Sequence, residues 1–294
     1  MTARTLVLAL AAMQAAFVAA DFADRRLARE HDGERLQAEG AAFLVAVAVS
    51  FLVVQYGGLA LAPTADALIE RVRAAVAGAA PGATRPLPAW AVPLAAVALF
   101  YVAGFWDYVW HRGFSHSRWF WPTHEYHHLP NQVFAAMPGL LARPFAVLVT
   151  VPVLVLTAAS AYAACALAGF APPGWAVFQP ALVAGATVLT ASHSSCLRRS
   201  WRVHRVLRRL AVTTPQEHLL HHTVDLAGNY GNFTSVWDRL FGTYLDPERA
   251  EYRAPRLGLG YDQDFLGTLT FGLVKLPARA RRRFGVGRYC NLDP

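Results

Sequence analysis

Four long apolar runs, and the charges that lie between them, decide what this chain can fold into. Residues 41–62, 88–110, 142–168 and 175–193 each approach or exceed the ~20 residues that cross a hydrocarbon core about 30 Å thick. The composition agrees. The chain is 55% hydrophobic and 16% charged, whereas soluble domains run at roughly 45–50% and about 25%. A fifth, shorter run over 5–20 follows Arg4. It reads as an additional N-terminal membrane segment rather than a cleaved leader, although Val18-Ala19-Ala20 resembles a cleavage site. Residues 21–40 are polar and charged and are expected in water.

The cations set the expected topology. Arg198, Arg199, Arg202, Arg205, Arg208 and Arg209 crowd the stretch after 175–193, while Gly169-Phe170-Ala171-Pro172-Pro173-Gly174 is an uncharged tight turn. The positive-inside rule puts 194–294 in the cytoplasm and that turn outside. The linker 63–87, punctuated by Pro63, Pro81, Gly82 and Pro86, crosses outside as well. The expected fold is all-α: a polytopic membrane helical bundle of two transmembrane hairpins and the N-terminal segment, with a cytosolic His-rich helical cap. The chain divides into 1–40, an N-terminal membrane or interfacial segment with a polar linker, and 41–294, a membrane domain.

The net charge of +8 rests almost wholly on arginine, Lys275 being the one lysine. That bias points to a GC-rich, bacterial genome and hence to an inner membrane. Because the arginines lie between apolar runs, they mark cytoplasmic loops rather than a nucleic-acid surface. On a helix, Arg198, Arg202, Arg205 and Arg209 share one face and Val203, Val206, Leu207 and Leu210 much of another. This suits a helix at the headgroups or a solvated basic loop. A second interfacial helix is expected over 265–284, where Phe265, Leu266, Leu269, Phe271, Leu273 and Leu276 precede Arg279, Arg281, Arg282 and Arg283. The cysteines, Cys165, Cys196 and Cys290, show no paired spacing, which disfavours a disulfide framework, an iron–sulfur centre and a cysteine zinc site.

Chemistry enters with the histidines. Of eleven, eight fall in three short boxes: His111 and His116 as H-x4-H, His124, His127 and His128 as H-x2-H-H, and His218, His221 and His222 as a second H-x2-H-H. Residues three and four apart lie a turn away on one helix face, so H-x2-H-H gathers three imidazoles in an arc of about 100°. Thr214, Pro215 and Glu217 form the signature of a capped helix start before the last box, and Thr123 is expected to cap the helix carrying His124. His111 and His116, five apart with Gly113 between, are poorly spaced for one face. Imidazole suits Fe, Zn, Cu and Ni, and this many exceeds what one ion can use, so two ions are implied. Asp107, Glu125 and Glu217 are expected to support ligand N–H groups, or to serve as caps and solubilising charges. His193, ending an apolar run on the same side, is a ninth candidate. His204, among arginines, and His31 are left out.

The order and flanks of the boxes resemble the fatty acid hydroxylase / sterol desaturase superfamily. The match is carried by Asp107-Tyr-Val-Trp-His111-Arg-Gly-Phe-Ser-His116, Trp121-Pro-Thr-His124-Glu-Tyr-His127-His128, Thr214-Pro-Gln-Glu-His218-Leu-Leu-His221-His222, Asn229-Tyr-Gly-Asn232 and Trp237-Asp-Arg-Leu-Phe-Gly-Thr-Tyr244. It covers roughly residues 100–247. The resemblance implies an oxygenase with two non-haem iron ions, a lipid substrate, O₂ as oxidant, and electrons from a separate ferredoxin or reductase. It assigns metal binding to His111, His116, His124, His127, His128, His218, His221 and His222, and also to His193. Some relatives have a tenth histidine where this chain has Leu197. Lipid would enter from the bilayer, past Trp106, Trp110, Trp119, Phe120 and Trp121, unless these only mark the membrane boundary. The rivals are a zinc-dependent membrane hydrolase and a non-catalytic metal-binding or transport protein.

Overall fold

The computed structural model describes residues 12–21 apart from Val18, 63–129, 146–224, 227–252 and scattered positions of 255–279. The expected span 41–62, most of 21–40, His31 and Cys290 lie outside the described residues. Among those described, the structure is helical, with isolated β-bridges and no strands.

Three apolar helices form the body: α2 (Ala91–Trp110), α4 (Ala146–Leu167) and α5 (Trp175–Ser192). Their bounds follow the sequence expectation within a few residues. Among the described residues, two helices are long and apolar enough to cross a membrane, Ala91–Ser115 and Thr150–Leu167, and Val177–Ser192 is a shorter apolar helix. α2 packs on both of the others. The core is Leu99 and Phe100 of α2, Ala158 and Tyr162 of α4, and Val177, Phe178 and Ala181 of α5. The uncharged turn between α4 and α5 closes as the sequence suggests. Gly169 takes φ +77°, and the Phe170 amide reaches back to the Cys165 carbonyl at 2.8 Å, a helix stop that needs a residue without Cβ.

The linker 63–87 is not irregular throughout. Residues 63–79 are helical and are called α1. Ile69, Val72 and Val76 lie along one stripe and pack against the core. The expected C-terminal helix is corrected. Residues 270–272 form a turn, with Phe271 at φ 55° and Gly272 at φ 81°, which no continuous helix accommodates.

The part carrying the boxes is built from short elements: α3 (Glu125–His128), α6 (Ser195–Arg198), α7 (Trp201–Arg209), α8 (Pro215–His221) and α9 (Val236–Leu240). Of the two readings of the arginine stretch, the helical one holds for α7, capped by Ser200, but Arg198 ends the separate α6. α7 with its C-cap exposes Trp201, Arg202, Arg205, Val206, Arg209 and Leu210, so two residues of the expected apolar face are exposed. The chain after it docks against the middle of α2. The Tyr101 hydroxyl donates to the Leu210 carbonyl at 2.7 Å, and the Trp237 indole to the Tyr101 carbonyl at 3.0 Å. Gly104 is the close approach: a Cβ there would strike Thr234 Cγ2.

Candidate metal centre

His111 sits where α2 gives way to a single π-turn, His111–Ser115. The His116 amide bonds the His111 carbonyl at 3.1 Å, five residues back. Widening the helix by one residue per turn brings together two side chains that an α-helix would hold apart, and the rings stand 5.0 Å apart. The unfavourable spacing read from the sequence is thus met by a change of helix type.

The two H-x2-H-H boxes are built differently. In α8 the expected cap is complete: the Glu217 amide donates to Thr214 Oγ1 at 3.2 Å and the Thr214 amide to the Glu217 carboxylate at 3.0 Å. In α3 the expected cap is absent. His124 itself occupies the N-cap position without a side-chain cap, and the Thr123 hydroxyl donates to the Phe120 carbonyl instead. Thr123 ends a 3₁₀ turn (Trp121–Thr123) and stands one residue before the N-cap, so its hydroxyl turns back to that turn rather than forward to the helix.

All nine candidate histidines converge, in two groups. His111, His116, His124, His128 and His221 form one, and His127, His193, His218 and His222 the other, with one ligand atom from each residue lying within 4.8 Å of the rest of its group. His111 and His116 stay in one group, whereas each H-x2-H-H box divides between the two. Positions i and i+4 (His124 and His128, or His218 and His222) stay together, while the i+3 residue (His127 or His221) crosses to the other group. A step of about 100° per residue turns the third imidazole away from the other two. The sequence reading had all three aimed along one arc. The groups are neighbours: the His128 and His222 rings are 4.6 Å apart and those of His124 and His127 5.1 Å.

The donor chemistry fits metal ions. His111 Nδ1 lies 2.6 Å from the Tyr230 carbonyl, His193 Nδ1 2.7 Å from that of Leu189, and His221 Nδ1 3.1 Å from that of Gly228. A carbonyl only accepts, so each Nδ1 carries the proton and each neutral ring turns its Nε2 lone pair inwards. Within the groups the Nε2 atoms approach closely: His111–His124 at 3.0 Å, His124–His128 at 3.2 Å, His193–His218 at 2.9 Å, His218–His222 at 3.1 Å and His127–His193 at 3.3 Å. Two nitrogens each about 2.1 Å from one ion stand about 3.0 Å apart when they subtend a right angle. Burial is near complete for every member except His116. Burial first, and then the adjoining histidines, hold the His222 pKa well below its ordinary value, so the ring stays in its neutral, ligating form.

The carboxylates act at one remove. Asp107 accepts from the Asn232 amide and side chain, both at 3.0 Å, and Asn232 Nδ2 stands 3.2 Å from His111 Nδ1. Glu125 accepts from Tyr261 at 2.6 Å and Gln263 at 3.0 Å. Glu217 completes its capping box and accepts from the Tyr244 hydroxyl at 2.8 Å. The capping role weighed for Glu217 therefore holds, and Glu125 anchors a distant segment rather than a ligand. Sequence reasoning passed over Asp238, which takes the Tyr230 and Gly231 amides, both at 2.8 Å, and so fixes the carbonyl that His111 uses. Burial pushes its carboxyl up to about 6 against those hydrogen bonds. The only sequence signal for it was its place in the Trp237-Asp238 flank. His204 belongs to neither group. It is buried with Nδ1 2.9 Å from Thr214 Oγ1, and burial, then Arg208, keep its pKa low. Asp21, expected in water, is buried against the turn after His193. Of the aromatics, Trp106 bonds Ser160, Trp110 stacks on Phe114, and Trp119 stands exposed.

The sequence profile of the family described as Fatty acid hydroxylase matches residues 96–243, about half the chain, and spans every histidine of both groups. No curated protein and no solved structure matches the chain.

Proposed function

The chain belongs to the fatty acid hydroxylase family, and on that premise we propose that it is an integral-membrane di-iron oxygenase that hydroxylates or desaturates a lipid with O₂. In this reading His111, His116, His124, His128 and His221 hold one non-haem iron, and His127, His193, His218 and His222 the other. The observation that carries it is the pair of adjoining, buried, all-imidazole groups. When bound, the irons supply the oxidation of an unactivated C–H bond.

The residues of the chain do the rest. Nδ1–H bonds from His111, His193 and His221 to fixed carbonyls set the tautomer and aim each ring. Burial keeps the His222 imidazole neutral and shields the centre from bulk water. The centre lies at the ends of α2 and α5 that carry His111 and His193, and the arginine distribution supports a cytoplasmic side for it. Electrons come from a separate ferredoxin- or reductase-type donor. The exposed arginines of α7, Arg202, Arg205 and Arg209, suit an acidic partner; reductase-coupled turnover should fall as salt rises.

Two rivals remain chemically distinct. A zinc hydrolase needs three protein ligands and an open position, which one group of four and another of five do not resemble. A transporter carries its ligands near the bilayer midplane, whereas these follow the ends of α2 and α5. Metal analysis of protein purified without added metal separates the readings: two Fe per chain supports the oxygenase, and zinc alone rejects it. Lipid mass spectrometry of cells with and without the gene then names the reaction, a gain of one oxygen for hydroxylation or a loss of two hydrogens for desaturation.

A further inference from the structure

His193 differs from every other member of the two groups in how it is held. The remaining eight lie in boxes that supply two or three ligands from one short stretch. His193 stands alone, as the residue that ends α5. Its Nε2 is nonetheless central to the four-histidine group, 2.9 Å from that of His218 and 3.3 Å from that of His127. Its aim rests on the Leu189 carbonyl one turn back, which holds Nδ1, and on how the chain turns immediately afterwards.

That turn is gripped from far away in sequence. Asp21 is 3% exposed, and its Oδ1 accepts from the Ser194 hydroxyl at 2.7 Å and the Cys196 amide at 3.2 Å, while Oδ2 accepts from the Ser195 amide at 3.1 Å. Ser194 is also the cap of α6, accepting from the Leu197 amide at 3.3 Å. One carboxylate thus fixes three consecutive residues after the ligand and satisfies two amides that the start of a helix leaves open. The segment that brings Asp21 there is helical at 12–17 and 19–21 and runs beside α5, where the Thr187 hydroxyl lies 2.9 Å from the Met13 sulfur. A leader cut after Ala20 would remove the helix that delivers Asp21.

We propose that Asp21 is a positioning residue for the four-histidine group: it clamps residues 194–196 and thereby sets His193, making the N-terminal helix part of the metal centre's scaffold. This rests on the reading that the two groups bind metal. The clamp serves one group and not the other, since the ligands of the five-histidine group hang from α2, α3 and α8.

The test uses the full chain in detergent and two measurements. Hydrogen exchange of the Ser195 and Cys196 amides in metal-free protein reads the clamp directly. Anaerobic titration with ferrous ion reads its effect on the centre, with His193→Ala marking which binding step belongs to the four-histidine group. Asp21→Ala should speed exchange at least about tenfold and weaken that same step by ~10–100-fold, leaving the other step unchanged. Asp21→Asn keeps the acceptor oxygen but turns an NH₂ towards Ser195 N, so it should recover part of the loss. This near-isosteric variant also carries the test should the alanine variant fail to fold. Unchanged exchange, equal weakening of both steps, or no weakening of either overturns the inference while the proposed function stands. Wild-type protein that binds no ferrous ion overturns both.

Discussion

The same three-histidine motif occurs twice, and α3 and α8 solve it in different ways. α8 is self-sufficient. Pro215, Thr214 and Glu217 start it, and the neighbouring Tyr244 and Asn229 bind Glu217 from one compact stretch of chain. α3 lacks a cap of its own and is tied down from the far end of the sequence, where Tyr261 and Gln263 grasp Glu125 and Tyr261 also takes the Trp121 indole. Yet both helices send i and i+4 to one group and i+3 to the other, in mirrored fashion. The helical repeat parts the i+3 imidazole from the other two, the direction each helix faces decides which group receives it, and the surrounding contacts decide how firmly the helix is held.

The mirrored allocation breaks most sharply at the crossing residues. His127→Ala strips the four-histidine group to three, and His221→Ala the five-histidine group to four. Turnover should fall at least about 100-fold in both, more than the 10–100-fold expected of supporting residues, but metal analysis should find the ion lost more completely in His127→Ala. Equal losses would mean that the groups do not act as separate sites. Next come the ties of α3. The double variant Tyr261→Phe, Gln263→Leu leaves the buried Glu125 without two charge-assisted donors, a cost of about 3–5 kcal/mol by denaturant melting. α8, which carries its own capping box, should keep its exchange protection.

A pH effect sharpens the five-histidine side. Asp238 holds the Tyr230 carbonyl against His111, and burial raises its pKa from 3.8 to about 6. A raised folded-state value means that the protonated form is the one the fold favours. Its contribution is present at the acid end and is lost as pH rises through about 6. Between about pH 4 and 7.5 the metal-free protein should lose up to about 3 kcal/mol from this group. Asp238→Asn should flatten that slope, and an unchanged slope would assign it elsewhere. The caps give the smallest pair. Thr214→Ala should cost about 1–2 kcal/mol, whereas Thr123→Ala, whose hydroxyl only reaches the Phe120 carbonyl, should stay within about 0.5 kcal/mol.

What the sequence disclosed follows from how local each cause is. The apolar bodies of α2, α4 and α5, the Gly169 stop, the helix of arginines and the capping box at Thr214 are written within a few residues of where they act. The identities of the nine histidines were legible because spacing alone singles out eight and His193 ends a span. Their division into two groups was not, since it requires the direction in which each helix faces. Thr123 misled because a cap depends on where the helix begins, and α3 begins one residue later than the motif suggested. Asp21, Tyr261 and Gln263 act across more than a hundred residues of chain, and nothing in their local sequence marks them.

The π-turn at His111–Ser115 has an implication for how such a site tolerates change in length. In an ordinary α-helix the partner of a ligand stands four residues on; here the looser coil lets it stand five on. Removing one residue between His111 and His116, Gly113 for instance, would let the coil tighten to the regular pitch and return both rings to the same side. A shortened chain should therefore retain the pair, whereas an added residue has no standard helix to absorb it. Ligand spacing at this corner is elastic in one direction only.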